Sequence, residues 1–112
     1  TANGYGLAYL HLTEPLSPKQ VANTPGTLLD VGAHFRPIAT MPVISNGALD
    51  QAKGEARLAA NLCDAVAYGM AWIANPDLVE RFRRGAPLNE PDRDTFYQGG
   101  EKGYLDYPTL AA

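Results

Sequence analysis

Short apolar runs, separated by longer polar or amphipathic stretches, set the pattern of this chain. Residues 7–12 (LAYLHL) are apolar at both alternate sets of positions. That is the pattern of a strand covered on both faces, as in a parallel sheet flanked by helices. A polar, proline-containing loop is expected over residues 13–25, and a modest helix over 27–35, weakened by Gly32. Residues 41–45 (MPVIS) predict a second strand with Pro42 near its start, ended by Asn46-Gly47. The strongest helix signal covers residues 49–62. There Ala52, Ala56, Ala59, Ala60 and Leu62 form an apolar stripe for close approach to a sheet, and Gln51, Lys53, Glu55 and Arg57 stay polar. Residues 64–68 (DAVAY) predict a third strand, closed by Gly69. One helical turn over 70–74 follows. Asn75-Pro76-Asp77 then opens a helix, with Asn75 as cap, that runs to about Arg84 and stops at Gly85.

Strand and helix alternate three times before a turn-rich tail begins. Such alternation predicts parallel strands joined by crossover helices. An Asn-Gly pair is also a hairpin signal, but the helical stripe directly after it favours a strand-to-helix turn. Three strands cannot close a barrel, and a complete (βα)8 barrel takes about 250 residues; this chain has 112.

Two of the expected strands end in a glycine that leads into a helix, at Asn46-Gly47-Ala48 and at Tyr68-Gly69-Met70. In a parallel sheet both turns leave the C-terminal edge, where ligands bind. Backbone amides in such turns can cradle a phosphate. The pattern alone equally allows two tight turns with no ligand.

Composition narrows the classes. Hydrophobic residues make up 46% and charged residues 19%, an ordinary globular balance that sets disorder aside. The net charge of −3 gives no basic footprint for nucleic acid, and no apolar run approaches the ~18 residues of a membrane span. A lone cysteine, Cys63, cannot form an internal disulfide, and no leader is visible at the start of the chain. A cytoplasmic location is therefore expected. With His11, His34 and no paired cysteine, no metal site is expected. His11 is expected to be a hydrogen-bonded structural residue, and Cys63 and Trp72 packing residues. Tyr104 and Tyr107 are expected to anchor the tail. Asp92, Arg93 and Asp94 are expected to form local ion pairs.

Four tail segments occur in one order at close spacing: Ile73-Ala74-Asn75-Pro76-Asp77-Leu78, Pro87-Leu88-Asn89, Asp92-Arg93-Asp94-Thr95-Phe96-Tyr97 and Gly103-Tyr104-Leu105-Asp106-Tyr107-Pro108. Together they resemble the C-terminal signature of the Old Yellow Enzyme family. Tyr9-Leu10-His11-Leu12 with Glu14-Pro15 is similar to that family's sixth barrel strand. Pro42-Val43-Ile44 with Gly47 is similar to its seventh, and Asp64-Ala65-Val66-Ala67-Tyr68-Gly69 to its eighth. The resemblance implies an α/β fold: βα units 6–8 of a (βα)8 TIM barrel over about residues 1–86, with a C-terminal extension over about 87–112 packed on the barrel.

The resemblance further implies an FMN-dependent ene-reductase. Such an enzyme is reduced by NAD(P)H and passes a hydride to the β-carbon of an activated alkene, while a tyrosine protonates the α-carbon. By matching position, the turns at Asn46, Gly47, Ala48, Gly69 and Met70 would hold the FMN phosphate. Phe96 would pack near the flavin ring and Tyr97 would line the substrate pocket. The protonating tyrosine belongs to earlier strands, so no catalytic residue is expected in this chain. A complementary N-terminal chain of the same enzyme is the expected partner, with an enone-type substrate and with homo-oligomerisation of the assembled barrel open. The family usually has arginine after the eighth-strand glycine, where this sequence has Met70. Arg36 and Lys53 are local cations that could replace it; otherwise FMN is held more weakly. The rival reading is a non-catalytic phosphate-binding half-barrel that oligomerises.

Overall fold

The computed structural model describes residues 1–111, which form two compact units, Thr1–Ala67 and the described residues from Tyr68 onward. The first unit is built on three parallel strands in the order β1 (Leu10–Thr13), β2 (Val43–Asn46) and β3 (Ala65–Val66). Leu10 pairs with Val43, and Ile44 with Ala65. The expected strand order and direction are thus present, in shorter strands. Residues 7–9 stay outside β1, after a 3-10 turn at Ala2–Tyr5 that the pattern did not signal.

Alternate strand residues bury the core. Leu12, Val43 and Cys63 form its centre, with Leu10, Val31, Phe35, Ala39 and Val66 packed around them. Full burial of a side chain such as Val43 contributes about 1.5–3 kcal/mol. On β1 the opposite set, His11 and Thr13, is exposed, so the expected burial of both faces is not met within this chain. His11 makes no hydrogen bond among the described residues, contrary to the structural role expected of it. Cys63 is a buried core residue as expected, and burial raises its thiol pKa.

The helices of this unit correct the pattern in three places. α1 (Pro18–Asn23) lies inside the stretch expected to be a loop. The Ser17 hydroxyl accepts from the Gln20 amide and Pro18 takes the first helical position, a local stop-and-start signal. α2 covers only Val31–Phe35, because the Asp30 carboxylate caps it through the Ala33 amide. α3 covers Gln51–Ala59, with Asp50 capping through the Lys53 amide. Its alanines do not face the sheet: Ala52, Ala56, Ala59 and Ala60 are exposed, Gly54 is buried and Arg57 is drawn inward. The cause is a buried acidic group beneath the helix, described below.

The second unit begins with α4 (Met70–Ala74), the expected single turn, then α5 (Leu78–Arg84), ended by Gly85 in the left-handed conformation. Asn75 does not cap α5 as expected. It is fully buried, donates to the Ala71 carbonyl at 2.8 Å and accepts from the Asn89 amide at 2.7 Å. Arg81, 4% exposed, holds the tail to α5. It bonds the Asp77 carboxylate at 2.8 Å and donates to the carbonyls of Pro87 (2.5 Å) and Pro108 (2.8 Å). Tyr68 and Phe82 meet edge to face. Asp92 caps a 3-10 turn at Arg93–Thr95 through the Asp94 amide, and no ion pair joins Asp92, Arg93 and Asp94 among the described residues. The Tyr107 hydroxyl anchors the tail by accepting from the Asp92 amide; Tyr104 is exposed and does not. Trp72 is 45% exposed, so it is not the packed residue expected.

Candidate functional site

β2 leaves the sheet at Asn46 and turns sharply at Gly47 and Ala48 into α3. Gly47 has φ +112° and Ala48 φ +47°. Glycine is required at 47 on two counts. Its φ disfavours any side chain, and an added Cβ would lie 2.5 Å from the Glu14 carbonyl oxygen. Ala48 holds a left-handed conformation at a cost of about 1–2 kcal/mol. Among the described residues, the amides of Gly47 and Ala48 donate to no other group. Two bent, unengaged amides at the C-terminal edge of a parallel sheet suit an anion, and the close approach to Glu14 leaves no side chain to block it.

Under this turn lies a charged cluster that sequence reasoning missed. Glu14, 6% exposed, accepts from the amides of Val31 and Gly32 at 2.8 Å each. Arg57 donates to Glu14 at 2.5 Å and to Asp30 at 2.9 Å, and its Nε donates to the Ser45 hydroxyl at 3.1 Å. Burial alone would lower the Arg57 pKa, but its bond to Asp30 and the charges of Glu14 and Asp30 outweigh burial and raise it. The same bond from Arg57 holds the Asp30 carboxyl below its ordinary value against partial burial. The main chain completes the join, with the Glu14 amide donating to the Asn46 carbonyl at 2.7 Å. The only signal in sequence was Glu14-Pro15, read there as part of a family match.

Of the two local cations, Arg36 is excluded from this turn. It pairs with Asp64 and Asn61, and Asp64 also accepts from the Val43 amide at the opposite, N-terminal edge of the sheet. Lys53 stands on the first turn of α3, 3.7 Å from Asp50, and lines a cleft of about 270 Å³ with Glu14, Gly47 and Ala48.

β3 runs parallel to β2, so the chain reaches Ala67 at the edge where Gly47 lies. The Ala67 amide donates to the Ser45 carbonyl at 2.8 Å, and the chain then passes into the second unit. Gly69 precedes α4 with φ −95°, and among the described residues no atom beyond its two chain neighbours lies within 4 Å of a Cβ added there. Neither the turn nor packing within the chain therefore requires glycine at 69. Met70 is 43% exposed. Further along, Phe96 is half-buried and meets Tyr97 edge to face; Tyr97 is 97% exposed. Neither ring bonds Gly69 or Met70 among the described residues. No group of three metal-ligating side chains occurs among those residues, and no helix there is long and apolar enough to cross a membrane.

Parallel strands with a glycine turn at the C-terminal edge, as at Gly47, are the parts of a TIM barrel, and solved barrels match the chain closely. Morphinone reductase in complex with tetrahydroNAD shares 46% identity over 97% of this chain, with a TM-score of 0.79. The old yellow enzyme of Trypanosoma cruzi shares 38% over 97%, with a TM-score of 0.83. Among curated proteins, putative 12-oxophytodienoate reductase 10 of Oryza sativa subsp. japonica is 41% identical and 12-oxophytodienoate reductase 2 of Arabidopsis thaliana 38%, each over 96% of this chain. No family model matches. The chain belongs to the Old Yellow Enzyme family. It spans 29–35% of the length of these two curated relatives and 27–28% of the two solved chains.

Proposed function

We propose that this chain supplies the FMN-phosphate turns and part of the substrate pocket of an FMN-dependent, NAD(P)H-driven ene-reductase acting on activated C=C bonds of α,β-unsaturated carbonyl compounds. The observation that carries the reading is the Gly47–Ala48 turn, whose amides are unengaged and whose backbone admits close approach. FMN, when bound, supplies hydride transfer from NAD(P)H to the alkene. The residues of this chain bind and orient. Asn46, Gly47 and Ala48, with Gly69 and Met70, would hold the phosphate through main-chain nitrogens. Phe96 would pack near the flavin ring, and exposed Tyr97 would line the substrate pocket. The proton donor would come from strands outside this chain.

The active unit in this reading is a complete barrel, formed by these strands (as strands 6–8) together with an N-terminal portion of the same enzyme. Two observations support a partner. Tyr5, Leu7, Tyr9 and Ile38 are exposed apolar residues in the first unit. The outer edges of β1 and β3 pair with no strand among the described residues, and open edges seek partners. The test is colour. The assembled enzyme should be yellow, should bleach when NAD(P)H is added without oxygen, and should regain its colour with an enone. A colourless protein that takes up no FMN overturns the reading and favours a non-catalytic phosphate-binding half-barrel.

A further inference from the structure

We infer that the Glu14–Arg57 pair, buried at Glu14 and partly buried at Arg57, is the positioning device of the anion turn, setting the direction of the Gly47 and Ala48 amides without touching the ligand. The inference rests on the phosphate reading above. Three joins tie Glu14 to the turn, two through its main chain and one through the carboxylate that Arg57 holds. The Glu14 amide donates to Asn46, the residue before Gly47, at 2.7 Å. The Glu14 carboxylate lies 3.4 Å from the Ser45 hydroxyl, which Arg57 also holds. The Glu14 main chain packs so closely on Gly47 that no Cβ fits between them. From the other side, the Glu14 carboxylate is fixed by the Val31 and Gly32 amides at the start of α2, and Arg57 is fixed by Asp30 and by its place on α3. One largely buried charge pair, with the Glu14 main chain, therefore locks β1, β2, α2 and α3 around the turn.

The geometry explains why a charged pair stands where hydrophobic packing would serve stability equally well. Replacing a buried ion pair by apolar residues of similar volume is often neutral for stability. Apolar packing, however, cannot fix the rotation of a turn, whereas directed bonds can. A mis-rotated turn would aim its amides away from the phosphate and leave the flavin ring's own contacts alone.

Glu14→Gln and Arg57→Met, made in the complete flavoenzyme, test this, with FMN and riboflavin affinities measured side by side. Riboflavin has the ring and lacks the phosphate. The wild type is expected to prefer FMN strongly, and each variant to lose about tenfold of that preference, equivalent to about 1.4 kcal/mol, with riboflavin affinity unchanged. Glu14→Gln keeps the side-chain shape and serves where Arg57→Met fails to fold. Equal loss of both affinities would mean that the pair only stabilises the fold, and would overturn the inference, as would an unchanged preference. A wild type that binds the two flavins equally would instead sink the phosphate reading itself.

Discussion

Replacing Arg81 with methionine should release the tail without unfolding α5. Arg81 is 4% exposed, and its guanidinium makes bonds to Asp77, Pro87 and Pro108. Methionine matches its length and keeps its packing but donates nothing. A hydrogen bond involving a charged group contributes about 1.5–3 kcal/mol, so three would suggest more than the true loss. The Pro87 and Pro108 residues are exposed enough for their carbonyls to recover water. Asp77 keeps the Leu110 amide at 2.7 Å. A net cost of about 2–4 kcal/mol follows, near that of breaking a buried charge pair. Limited proteolysis with mass readout should show cleavage between residues 87 and 110 rising at least tenfold, with residues 78–84 still protected. Hydrogen exchange should quicken at the Asn89 and Leu110 amides. A tail as resistant as the wild type's would refute the reasoning and leave Asn75 and Asn89 as its real fastening.

Met70→Arg should tighten FMN binding by about tenfold or more through a charge-assisted contact; equal affinities in a titration would count against the phosphate site. Ala48→Gly should stabilise the fold by about 1 kcal/mol by relieving the left-handed alanine, read as a rise in melting temperature. Gly47→Ala should cost more than about 1–3 kcal/mol, since the strained φ is joined by contact with Glu14, and should weaken FMN binding as well. On acidification, Asp30 and Asp77 should each surrender stability. Arg57 holds Asp30 below its ordinary value of 3.8, and the Leu110 amide with Arg81 does the same for Asp77. For a depressed carboxylate the stabilisation is full above the unfolded pKa and is lost as pH falls through the folded one. The loss should therefore begin near pH 4 and deepen below it, as seen in denaturant midpoints. Substituting either aspartate by asparagine should flatten that slope.

Strand order and the Gly47 turn were legible because both are local signals: short apolar runs, then an Asn-Gly before a helical period. α1 was missed although Ser17-Pro18 marks its start, because prolines on both sides made the stretch read as loop. The alanine stripe of α3 misled for a different reason. Alanine is content in either environment, whereas a buried carboxylate at Glu14 must find a cation, and Arg57 is the one that reaches it. No window of sequence could show that pairing, since 43 residues separate the two. The cap expected at Asn75 fails for the same reason, and the role of Arg81 has no signal in sequence: their partners, at Asn89 and Pro108, come from the tail. The Gly47 turn was thus visible in the sequence, and the Glu14–Arg57 pair beneath it was not.

A crystal structure of the assembled, flavin-loaded enzyme tests the central claim most directly. Phosphate oxygens should lie within hydrogen-bond distance of the Gly47 and Ala48 amides and of the amides that follow Gly69. A phosphate held elsewhere, with those amides facing only water, would contradict it.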